Sequence, residues 1–133
     1  MQQMIDFAMF TLDKADQDYP RWVVENWLQE FRRDGGIPFR GMVYINFMTA
    51  REYELTAEEL HINSRKPFYS HPRQVAMYIM IQFGHKQKDI AKYYRLDRSD
   101  VAYAKKRVED KMRESIIYKK NIENLIDKIC YSK

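Results

Sequence analysis

Four short stretches of this chain carry side chains suited to hold something charged. They are Ser64-Arg65-Lys66, Arg73-Gln74, Lys86-Gln87-Lys88 and Asp97-Arg98-Ser99-Asp100. A guanidinium offers N–H donors in a planar fork that matches a phosphate or the O6/N7 edge of guanine. An ammonium is a compact point charge for a phosphate. A serine hydroxyl can bond a base edge or a phosphate, and a carboxylate such as Asp97 can accept from a cytosine amino group. Asp97 is equally suited to cap a following helix. Asp100, which phosphates would repel, fits local helix chemistry better than base contact. Lys105, Lys106 and Arg107 come one to two turns later. At about 100° per residue they cannot all share one face. One or two are therefore plain solubility charges, and Lys105 is kept as the candidate contact.

These side chains need elements to position them. Val43, Phe47, Ala50 and Tyr53 recur at helical spacing, although Val43 to Phe47 also alternates as a strand would. Thr56 and Glu59 have capping-box spacing and open a short helix through Leu60. Asn63 to Ser70 reads as a loop, and Pro72 opens a helix that buries Val75, Ala76, Ile79, Met80 and Phe83 and stops at Gly84. A shorter helix from about Lys86 carries Ile90, Ala91 and Tyr94, and Arg95-Leu96 makes the turn. The next helix buries Val101, Ala104, Val108 and Met112. After a break near Ser115, Ile116, Ile122, Leu125, Ile126 and Ile129 continue an apolar face. Upstream, Ile5, Ala8, Met9 and Leu12 fit one helix, and Pro20 to Phe31 fits another that ends at Gly35-Gly36. The expectation is an all-α chain, divided into a helical extension over residues 1–38 and a domain over residues 39–133. A helix, a tight turn and a second helix with a basic N-terminus form the unit that sets one helix into the DNA major groove.

The charge distribution agrees. Net charge is +4, yet residues 1–61 carry −5, residues 62–120 carry +9 and residues 121–133 carry none. A basic segment beside an acidic one points to a polyanion-binding surface. Other chemistry is missing its parts. Gly36 and Gly41 have phosphate-loop spacing, but Met42-Val43 stand where Lys-Ser/Thr is required. His61, His71 and His85 lack clustered cysteines or carboxylates, so each is expected on a loop or the surface rather than on a metal. No serine sits in a nucleophile elbow, and Glu58-Glu59 suit the dipole of a first helical turn. Neither an enzyme nor a cofactor is expected. Cys130 stands alone, no apolar run nears the roughly 18 residues of a membrane span, and Met1 to Met4 lacks a secretory pattern. A cytoplasmic setting is expected, with no membrane partner.

The order of motifs is more specific than any one of them. Arg51 to Leu60, then Ser64-Arg65-Lys66, then Pro72-Arg73-Gln74-Val75-Ala76-Met77-Tyr78, then Asp89-Ile90-Ala91 resembles the C-terminal DNA-binding domain of the bacterial replication initiator DnaA. The similarity spans roughly residues 41–130. It implies a Trp-repressor-like helix-turn-helix bundle that binds short duplex sites. By position, the resemblance puts Arg65 in the minor groove, Arg73 on the phosphate backbone and Lys88 near the DNA. It aligns Asp97 to Asp100 with the base-reading segment. Lys66 and Lys86 belong to the same basic surface. The chain departs from the family in having Arg95-Leu96 where Gly-Gly-Arg is usual, Arg98 for histidine and Asp100 for threonine. Its length leaves no room for an initiator's ATPase domain, so a detached or diverged binding domain is expected, in a setting such as a bacterium, phage or mobile element. The partner expected is double-stranded DNA, in replication control or transcription. The alternative keeps the fold but has lost DNA binding, and docks a replication or transcription protein through the acidic first half.

Overall fold

The computed structural model describes residues 41–130. The expected helices and the domain boundary before residue 39 lie outside the described residues. Within them the order is α1 (Met42–Glu52), a 3₁₀ turn (Glu59–His61), α2 (Pro67–Gln82), α3 (Gln87–Tyr94), α4 (Arg98–Glu114) and α5 (Ile116–Cys130), with no strand. The all-α expectation holds. The alternation at Val43 to Phe47 does not make a strand: the segment is helical, with the Ile45 N–H donating to the Gly41 carbonyl at 3.0 Å, and Val43, Tyr44 and Ile45 are all buried because the helix is enclosed on several sides.

The core lies where α2 packs most extensively on α4 and next on α1. Ile45, Val75, Ile79, Met80, Ile90, Val101 and Val108 are wholly enclosed there. Fully burying a side chain of this size contributes about 1.5–3 kcal/mol each. One polar thread crosses the core. The Tyr94 hydroxyl donates to Asn46 Oδ1 at 2.7 Å, and Asn46 Nδ2 donates to the Ala57 carbonyl at 3.0 Å. It ties α1, the chain before the 3₁₀ turn and α3 together while leaving no amide of Asn46 unsatisfied.

Three helices end the same way. Leu55, His85 and Leu96 each donate a backbone N–H five residues back, to Ala50, Met80 and Ala91. This closure needs a left-handed residue just before the donor. Gly84 supplies one at φ +92°, as its sequence position suggested, but Glu54 at φ 58° and Arg95 at φ 56° must do the same with a Cβ.

Three expectations need correction. First, α2 opens at Pro67, not at Pro72, so Asn63 to Ser70 is only half loop. Pro67 fixes φ at the first helical position, and the Lys66 carbonyl accepts from Tyr69 at 3.0 Å and Ser70 at 2.9 Å, so a full turn forms before Pro72. Pro72 then forfeits one helical bond. Second, the helix expected from Thr56 through Leu60 is a 3₁₀ turn over Glu59–His61, although its capping box is present. Thr56 N donates to Glu59 Oε1 at 2.9 Å, and Glu59 N donates to Thr56 Oγ1 at 3.3 Å. Third, Ile116 does not join the apolar face. It is 70% exposed. Ser115 is extended at φ −138° and ψ 117°, and it restarts the helical phase by capping α5 through its hydroxyl to the Tyr118 N–H. Ile116 then falls about 120° around α5 from buried Ile122.

Candidate nucleic-acid interface

The second helix of the two-helix unit, α4, is started by a reciprocal cap. Asp97 caps its first turn through the backbone at residue 100, and the Asp97 N–H donates to Asp100 Oδ2 at 3.2 Å. Both carboxylates are thus used at the helix start, where they also suit the positive end of the dipole. Burial of Val101, Ala104 and Val108 fixes the helix rotation. The opposite meridian then carries Ser99 and Lys106, both exposed, with Arg98 and Tyr103 to either side. Lys105 lies nearer the buried side and is half-covered, so the outward lysine is Lys106.

The loop before α2 is held from beneath. Arg73 is only 8% exposed, and its guanidinium donates to the carbonyls of Ile62 and of Ser64, the latter at 3.2 Å. Burial lowers its pKa from the usual arginine value, opposed by Tyr94 and Asp100. The loop also braces itself. Lys66 N donates to Ser64 Oγ at 3.2 Å, and Ser64 N donates to the Ile62 carbonyl at 2.8 Å. The result is a fixed backbone from which the Arg65 and Lys66 side chains project, both exposed. Below it, the His61 ring packs on Tyr93 at 4.8 Å and Tyr94 at 5.0 Å, clamping the 3₁₀ turn to α3. Burial first, then the charges of Arg95 and Arg73, pushes His61 down to about 4.

Between this loop with the first half of α2 and the exposed flank of α4 runs an open groove of about 730 Å³. Arg65, Arg73, Arg95, Arg107 and Lys111 line it, along with Asp97, Asp100 and Tyr103. At its α5 end His71 lies between Lys111 Nζ at 3.5 Å and the Tyr118 hydroxyl at 3.4 Å, edge-on to Tyr53. Burial, then Lys111 and Arg107, lowers His71 to about 4. His61 and His71 are therefore packed groups rather than loop or surface residues. Lys86 stands at the N-terminal boundary of α3 with its side chain exposed, and Lys88 is exposed in its first turn.

The structure thus brings Arg65, Arg73 and Asp97 to one groove. Arg98, Ser99, Lys86 and Lys88 are exposed but do not line it, Lys66 projects from the loop, and Lys105 is turned aside. Sequence reasoning set Arg107 aside in favour of Lys105 and passed over Arg95, Tyr103 and Lys111. The spacing from Asp100 to Tyr103, Arg107 and Lys111 is a three-four-four stripe that could have found three of them.

Comparison with known proteins shows the family of the fold. The family model described as the bacterial dnaA protein helix-turn-helix matches residues 43–108, which run from α1 into the middle of α4. Residues 43–108 belong to the DnaA helix-turn-helix family. The chromosomal replication initiator protein DnaA of Desulfotalea psychrophila is 30% identical over 86 residues, 64% of this chain. The chain spans 18% of the length of that relative. No solved structure matches the chain. In the DnaA-type unit here, Arg95 closes the turn between α3 and α4 in the left-handed conformation.

Proposed function

We propose that this protein binds double-stranded DNA at a preferred sequence and acts in the control of replication initiation. Helix α4 enters the major groove with Arg98, Ser99 and Lys106 toward the bases, and Arg65 enters the neighbouring minor groove. The strand between the two grooves passes over the basic groove, where Arg95, Arg107 and Lys111 meet its phosphates. The observation that carries this reading is the pairing of a rigidly held, exposed Arg65 with the exposed N-terminus of α4 across one cationic groove. Kinship with the DnaA helix-turn-helix supports it. Lys88 and Lys86, at the start of α3, suit a flanking phosphate. The setting is the cytoplasm of a bacterium, whether host or phage encodes the chain.

Asp100, a carboxylate on the face set toward DNA, would favour the rival reading, a protein-docking module that has lost DNA binding. Its carboxylate is turned back on the Asp97 N–H, which accounts for it without a protein partner.

The test is duplex binding as a function of salt. Each phosphate neutralised adds about 0.9 to the slope of log affinity against log salt, so several contacts give a steep fall. Arg65→Ala should weaken binding and reduce that slope by about one. Arg98→Ala should cost on the order of 1–3 kcal/mol at one base position and little elsewhere. Salt-independent retention of duplex, or none at low salt, would contradict the reading.

A further inference from the structure

Tyr103 stands on α4 among the polar side chains Ser99, Lys106 and Arg107. It is a large ring left 57% exposed on a helix that buries Val101, Ala104 and Val108. Among the described residues no hydrogen bond or ring contact ties it down. It lies four residues after Ser99 and three before Lys106, on the same outward stripe. At about 1.5 Å per residue it stands about 6 Å along the axis from Ser99, well inside the roughly 12 Å width of a major groove. It also lines the cationic groove with Arg65 and Arg107. Phe68 is more exposed at 63% but does not line that groove.

In the proposed reading, polar side chains on both sides serve phosphates and polar base edges. What a ring adds is apolar area, and the apolar feature of the major groove is the C5-methyl of thymine. We propose that Tyr103 is a specificity-determining residue, its ring packing on a thymine methyl from the second turn of α4 and selecting A·T at that step. The proposal rests on the reading of α4 as the base-reading helix. The aromatic ring, not the hydroxyl, carries the preference.

The test uses the full chain and the duplex it selects from a random pool. Tyr103→Phe should return the same consensus. Tyr103→Ala should lose the preference for thymine at one position and keep the positions set by Arg98 and Ser99. Replacing that thymine by deoxyuridine removes only the methyl. It should weaken the unaltered protein about fourfold, the worth of one buried methyl-sized group, and leave Tyr103→Ala unaffected. Both variants should keep the parent's helical circular dichroism, since the side chain is exposed. An unchanged consensus in Tyr103→Ala, or an equal uracil penalty in both proteins, overturns the assignment while duplex reading stands. Failure of the unaltered protein to select any sequence overturns the duplex-reading function itself, and this assignment with it.

Discussion

Arg73 shows how a side chain that looks like a contact can act from beneath the surface. Its sequence position marks it as a phosphate partner, but in the fold its guanidinium holds the Ile62 and Ser64 carbonyls and is nearly enclosed. We propose that Arg73 positions Arg65 rather than touching the backbone itself. Arg73→Met should then destabilise the fold by about 1–3 kcal/mol, since two carbonyls lose their donors. Arg73→Lys should not restore it, because one ammonium cannot span both carbonyls. Urea unfolding checks both. A variant with unchanged stability and lost duplex affinity would return Arg73 to the phosphate. The exposure of Arg65, Lys66, Arg98 and Ser99 could be anticipated from residue type. The burial of Arg73, His61 and His71 could not, because it depends on contacts made by residues distant in sequence, such as Tyr118 on His71, 47 positions away.

Helices were the most legible level. Asp97 as a cap, Gly84 as a stop and the break at Ser115 all follow from local chemistry, and each is found. The start of α2 was misplaced because two prolines five residues apart both suit a first turn, and only the Lys66 carbonyl's acceptance of Tyr69 and Ser70 decides between them. The turn between α3 and α4 carries strain that can be tested. Arg95 closes α3 at φ 56°, where an L-residue is disfavoured by roughly 1–2 kcal/mol, partly offset by the entropy a glycine loses on folding. Arg95→Gly should therefore stabilise the protein by about 0.5–1 kcal/mol in thermal or urea unfolding. The same change removes a cation from the groove, so duplex affinity at low salt should fall as stability rises. Destabilisation by Arg95→Gly would mean that Arg95 makes contacts in the fold that outweigh its backbone strain.

At the scale of the molecule, two packed histidines link stability to pH. His61 and His71 titrate near 6.5 when exposed and are lowered to about 4 in the fold. Between those values the unfolded chain binds more protons than the folded one. Stability is therefore complete above about pH 6.5 and declines as pH falls toward 4. Screening of these half-buried rings keeps the loss to about 1–2 kcal/mol per histidine. His71→Gln, which cannot titrate, should flatten the pH 6.5 to 4.5 limb of a thermal-melting series, and an unaltered limb would place the linkage elsewhere. The basic segment and the helical content were readable from the sequence because charge and periodicity are local properties. The groove was not, since it exists only once α2 packs on α4.

The central claim, that this DnaA-type fold reads duplex sequence, is tested most directly by selecting bound duplexes from a random pool. The selection runs on the full chain at about 150 mM salt, where unspecific phosphate contacts are weakened, with unselected duplex as competitor. The account predicts a sharp consensus, with a core set by the N-terminal half of α4 and an A·T-rich step beside it where Arg65 enters the minor groove. No enrichment at this salt, with no duplex retained even at low salt, would contradict it.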